Sequence, residues 1–123
     1  MQYNRVYTME STEFTKSKAF KVVEVIEYIP NSVVIKSIIK RITGNVSAVS
    51  FDSGELLCGK TSPFEIFIQI IEGNAEVVID DKSNLLETGQ SIIIPAHSRN
   101  TIKANEKFKM LSTFIKSGYE EVS

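Results

Sequence analysis

Imidazole and thiol groups, the side chains best suited to near-neutral proton transfer and transition-metal ligation, are scarce in this 123-residue chain, which holds one histidine and one cysteine. The histidine, His97, lies in "GQSIIIPAHSRN", Gly89 to Asn100. An imidazole titrates near neutrality and can move a proton or ligate a metal. No carboxylate nearby in sequence is identifiable as its partner, so a solvated loop residue after Pro95 is the competing assignment. The cysteine, Cys58, stands two residues before Lys60, and a neighbouring cation can lower a thiol pKa; the alternative is an inert, buried thiol at a strand end. One Cys and one His cannot supply a closed tetrahedral zinc site, and no internal disulfide can form. Lys60, Ser62 and Asn100 offer an ammonium, a hydroxyl and a carboxamide. Such groups can meet the oxygens of a carboxylate, a phosphate or a sugar.

Short runs of β-branched and aromatic residues must position these groups. They read "FKVVEVIEYI", "SVVIKSIIKRI", "NVSAVSF", "FEIFIQIIEG", "AEVVIDD", "LLETGQSIIIP", "NTIKA" and "FKMLSTFIK". Val, Ile, Thr and Phe pack well on a pleated surface. Between the runs stand turn signals at Pro30, Gly44, Gly54, Gly73, Asp80 and Gly89. Evenly spaced short strands of this kind predict an all-β sandwich or barrel, with no amphipathic helix. The length suits one domain spanning 1–123. Residues 1–18 are expected to form an arm or an edge strand, and 118–123 a frayed tail.

Two stretches resemble the cupin family. The first cupin motif is G-x5-H-x-H-x3-E-x6-G, and here Gly54 and Gly73 stand at its two ends. The second is G-x5-P-x-G-x2-H-x3-N, and Gly89 and Pro95 match it. "IIEGNAEVVID" and "LETGQSIIIPA" are similar to family sequences, and the likeness runs from about Val33 to Ile115. It implies a double-stranded β-helix, a jelly-roll barrel of two antiparallel sheets, as in RmlC-like proteins. The family's metal ligands point into that barrel. Counted from the motif glycines, their positions hold Lys60, Ser62, Ile66 and Asn100, and His97 takes the family's second-motif glycine position. A cation, a hydroxyl, an alkyl group and one carboxamide do not make a transition-metal site. Glu65 is one residue out of register and alternates to the opposite face. The expectation is therefore no metal and no cofactor.

If the resemblance holds, Lys60, Ser62 and Asn100 line the barrel interior with Ile66, Ile68, Ile70, Ile94 and Ile102, and His97 stands at its mouth. Two interiors remain open, a cavity for a small ligand or a packed core. The favoured function is metal-free binding of a sugar, sugar phosphate or organic acid. A metal-independent isomerase or epimerase and a non-catalytic dimeric scaffold are the alternatives. Phe67 and Ile71 lie on a face that needs cover, from the N-terminal strands or from the second subunit of a homodimer. A net charge of −1 without a dense basic run argues against nucleic acid. The apolar runs are too short to span a bilayer as helices, so no membrane partner is expected. The N-terminus lacks an apolar signal core, and the single cysteine suits a reducing cytoplasm.

Overall fold

The computed structural model describes residues 5–9, 14–59 and 61–116. Among the described residues ten strands run in chain order: β1 Arg5–Met9, β2 Ser32–Arg41, β3 Gly44–Phe51, β4 Leu56–Gly59, β5 Ile66–Glu72, β6 Ala75–Ile79, β7 Lys82–Leu86, β8 Ser91–Ile94, β9 Asn100–Lys103 and β10 Phe108–Ile115. They form a six-stranded sheet, β1-β2-β3-β10-β5-β8, and a four-stranded sheet, β4-β9-β6-β7. Pairing is antiparallel throughout except at the edge, where β1 runs parallel to β2. The expected all-β, two-sheet jelly roll is what the chain adopts. Residues 118–123, expected as a tail, lie outside the described residues.

Turn chemistry explains the hairpins. Asp80 and Asp81 join β6 to β7 with φ of 47° and 67°, a left-handed pair that suits short polar side chains in a two-residue hairpin. Gly73 carries the chain from one sheet to the other at φ 88°, and a Cβ there would press on the Lys107 carbonyl and Phe108. Only glycine satisfies both demands.

Inward side chains of the two sheets make one apolar core. Phe51 and Phe108 stack at 4.5 Å between centroids, beside Val33, Ile70 and Val77. A second cluster lies on the outer face of the six-stranded sheet, where Ile26 packs on Val34, Ile38 and Ala48.

That outer cluster corrects one expectation. "FKVVEVIEYI" is not a strand; it runs over β2, β3 and β10 as extended chain with one 3-10 turn, Val22–Glu24. Its apolar side chains are buried by lying on the sheet rather than by pairing with an edge. Its carbonyls, which a ladder would otherwise satisfy, take side-chain donors instead. Lys109 Nζ donates to Val23 O at 2.8 Å, Lys36 Nζ to Val25 O at 3.2 Å and Ser50 Oγ to Glu27 O at 2.8 Å. Tyr28 anchors the end of the segment, its hydroxyl donating to Glu72 Oε2 at 2.6 Å. This cover does not extend to Phe67, which stays exposed beside its cross-strand partner Ile93, also exposed; Ile71 is half-buried.

Candidate functional site

Between the sheets lies a cavity of about 340 Å³. That is the lower end of the range for small-molecule sites and room for roughly ten waters. A packed core, one of the two interiors the sequence left open, is not what the barrel contains. Ile35, Val49 and Met110 of the cavity lining belong to or pack against the same core cluster as the fully buried Phe51, Phe108 and Val33. The mouth is marked by Thr8 and Lys40, both exposed lining residues.

The walls follow from strand register. On the six-stranded sheet the deep rung is Ile35, Val49 and Met110. The next rung is Ser37, Ser47 and Ser112, followed by Ile68 on β5. The rung at the mouth is Lys40, Asn45, Phe114 and Ile66. From the other side come Leu57 and Gly59 of β4, Asn100 and Ile102 of β9, and Ser62 from the loop after β4.

Lys40 reaches this wall through an irregularity. The β2–β3 ladder shifts between Ser37 and Ile39. Ile38 becomes the extra residue and is buried in the outer cluster, while Ile39 points outward, 47% exposed. Without the bulge, alternation from Ser37 would turn Ile39 inward and Lys40 outward.

Asn100 is buried, and its carboxamide lies on the bare backbone of Gly59, where any Cβ would overlap it. Ser62 Oγ accepts a hydrogen bond from Phe64 N at 3.1 Å, and Ser62 O accepts one from His97 N at 2.6 Å. Asn45 Oδ1 is buried with no partner among the described residues. An unmet buried acceptor costs about 1–3 kcal/mol. No hydrogen bond joins the hydroxyls of Ser37, Ser47 or Ser112 to another described residue.

No protein-family model and no curated protein matches the sequence. The similarity lies in solved structures. A conserved protein of unknown function from Streptococcus pyogenes superposes with a TM-score of 0.80 at 23% identity, over 86% of this chain and 93% of that one. A cupin superfamily protein from Desulfitobacterium hafniense gives 0.79 at 22% identity, over 86% and 97%. A cupin 2 conserved barrel domain protein from Leptotrichia buccalis gives 0.75 at 26% identity, over 79% of this chain and 47% of that one. The fold is that of a cupin.

On the cupin skeleton the ligand positions can be tested one by one. Ser62, Ile66 and Asn100 all line the cavity, where the motif count puts them. Lys60 lies outside the described residues. Ile66 has no lone pair, and Ser62 Oγ is already engaged by Phe64 N. This donor set does not fit the metal of a typical cupin. Among the described residues no group of three or more His, Cys, Asp or Glu is placed to hold an ion.

His97 occupies the cupin glycine position with φ 65°, in the left-handed region that position requires. Its side chain is exposed and does not line the cavity, contrary to the mouth-lining role considered from sequence. Glu65 is exposed, just before β5, and is not among the cavity-lining residues. Cys58 is exposed too, which corrects the expectation of a buried thiol; its Sγ lies 3.9 Å from Thr101 Oγ1, and its neighbours Leu57 and Gly59 face the cavity instead. Of the five isoleucines expected inside, Ile66, Ile68, Ile94 and Ile102 line the cavity, and Ile70 is packed in the core. Sequence reasoning missed the serine row, Lys40 and Asn45. Ser37, Lys40, Asn45 and Ser47 of "SIIKRITGNVS" were the available signal, but the bulge puts Lys40 out of step with Ser37.

Proposed function

We propose that this cupin-fold protein binds a small molecule in its barrel without a metal. The observation that carries the proposal is a cavity of about 340 Å³ with apolar walls and a few convergent polar groups. That combination is typical of small-ligand sites. Ser62 and Asn100 supply polar contacts from one side, and the motif count nominates Lys60 as a third member of the set. A sugar, a sugar phosphate or an organic acid is the class proposed for this set. Charge-assisted hydrogen bonds contribute roughly 1.5–3 kcal/mol each. Two of them with apolar contact to the isoleucines support micromolar affinity. His97 has no part in the site. Binding is favoured over isomerase or epimerase chemistry, because the described lining carries no histidine or carboxylate to form an acid–base pair.

The test is a thermal-shift screen of sugars, sugar phosphates and organic acids, with calorimetry of each hit on wild type and Lys60→Met. Binding about tenfold weaker in the variant is expected from loss of one charged hydrogen bond. A screen in which no compound raises the melting temperature overturns the proposal. We further propose a homodimer in the cytoplasm. The exposed Phe67–Ile93 pair supports the first, and the single cysteine the second.

A further inference from the structure

We infer that Ser37, Ser47 and Ser112 are the recognition row of the cavity and select an uncharged six-membered ring with oxygens on alternate carbons. This rests on the cavity being a ligand site and narrows what it takes.

The three serines are far apart in sequence but stand side by side on β2, β3 and β10. Ser37 pairs with Ser47, and Ser47 with Ser112. All three line the cavity. Ser47 and Ser112 are 4% and 7% exposed, more than nine-tenths buried, and none of the three hydroxyls bonds to another described residue. The rung below is wholly apolar, Ile35, Val49 and Met110, and Ile68 continues the serine rung on β5. Serine is a poor strand former, and three abreast on the inner face of a sheet oppose the packing that stabilises such a core. A valine or isoleucine at each place would fill the space and leave no polar group unmet. As serines they open the cavity and line one wall with donors that have no partner among the described residues.

Spacing then names the ligand. Neighbouring strands lie about 4.8 Å apart, so adjacent hydroxyls on the row are separated by about that distance. One ligand oxygen between two of them reaches both at ordinary hydrogen-bond length, about 2.8 Å each. Three serines make two such seats, again about one strand spacing apart. Oxygens on alternate carbons of a six-membered ring have that separation, whereas oxygens on adjacent carbons lie too close to fill both seats. Elsewhere in the lining, Leu57, Ile94 and Ile102 offer apolar surface to the ring, beside the polar Ser62 and Asn100. The one described charge in the lining, Lys40, sits at the mouth rather than on the row.

Isomeric probes isolate this prediction. Resorcinol and catechol have the same atoms and differ in oxygen spacing; toluene has the ring and no oxygen. Calorimetry of all three is run on wild type, Ser47→Ala and Ser112→Ala. Ser47 bounds both seats, so Ser47→Ala weakens resorcinol about tenfold, and Ser112→Ala, which bounds one, about threefold. Toluene binds all three proteins equally or favours the alanine variants. In wild type, resorcinol binds more tightly than catechol. Should catechol equal resorcinol, or the alanine variants keep full resorcinol affinity while toluene binds, the serine row is refuted and the cavity remains a ligand site. Should none of the three probes bind while a sugar phosphate or organic acid does, the ligand class is refuted and the binding function stands. Should nothing bind at all, both fall. If Ser47→Ala does not fold, Ser112→Ala and Ser37→Ala carry the comparison.

Discussion

Replacing His97 by glycine separates a backbone role from a chemical one. His97 holds φ at 65°, and its N donates to Ser62 O at 2.6 Å, so the conformation is tied to a loop that lines the cavity. A left-handed conformation costs an L-residue about 1–2 kcal/mol, and glycine avoids that cost. Glycine in turn loses about 0.5–1 kcal/mol more conformational entropy on folding. The exposed ring makes no hydrogen bond among the described residues to set against this. The difference leaves His97→Gly more stable by about 0.5–1 kcal/mol. At about 2.1 cal/mol/K per residue, 123 residues unfold with an entropy near 260 cal/mol/K, so the melting temperature rises by about 2–4 °C. His97→Ala keeps the left-handed demand and shows no such rise. Scanning calorimetry reads the shift, and calorimetric titration of any ligand found reads binding, which is unchanged in both variants. A fall in melting temperature for His97→Gly would refute the strain argument. A loss of ligand affinity in both variants, with the fold intact, would refute the placing of His97 outside the site.

Three further outcomes follow from the same geometry. Gly59→Ala drives the Asn100 carboxamide off its seat, because the added Cβ occupies its place; probe binding in the cavity falls at least tenfold, and unchanged affinity would show that Asn100 does not shape the site. Tyr28 loses its proton only well above the usual tyrosine range, held there first by burial and then by its hydrogen bond to Glu72 and that carboxylate's charge. A folded-state pKa raised above the unfolded value gives stability that is fully present below about pH 10 and lost as pH rises beyond it. Tyr28→Phe therefore lowers the melting temperature at neutral pH, where the bond to Glu72 is lost, and flattens the alkaline fall; equal alkaline slopes in the two proteins would exclude Tyr28 as its source. For the proposed homodimer, light scattering gives twice the chain mass for wild type and the single mass for Phe67→Lys with Ile93→Lys, with circular dichroism unchanged; a monomeric wild type at micromolar concentration removes that proposal.

Local chemistry was legible in the sequence. Gly54, Gly73 and Gly89 all adopt positive φ, where turn signals and motif spacing placed them, because a backbone angle is a property of one residue and its neighbours. The same spacing located Ser62, Ile66 and Asn100, all of which line the cavity, and residue type alone shows that they cannot replace imidazoles and a carboxylate. Strand periodicity reached its limit at residues 20–29. There an apolar run is satisfied equally by pairing with an edge or by lying across a face, and donors from Lys36, Ser50 and Lys109 decided for the face. The four-residue β4 carries too short an apolar pattern to be seen apart from its partner β9. Whether the barrel interior is cavity or packed core depends on the summed volume of side chains from both sheets, which no single run contains. Ser37, Ser47 and Ser112 become one row only through the order β2-β3-β10 and its register. Lys40 faces the cavity only because a one-residue bulge at Ile38 inverts the alternation after it. Sequence alone determined the turns, the barrel and the loss of the metal ligands, since each depends on residue type and spacing along the chain. Tertiary structure decided which hydroxyls and which charge meet inside the barrel, since that depends on register between strands that are distant in the chain.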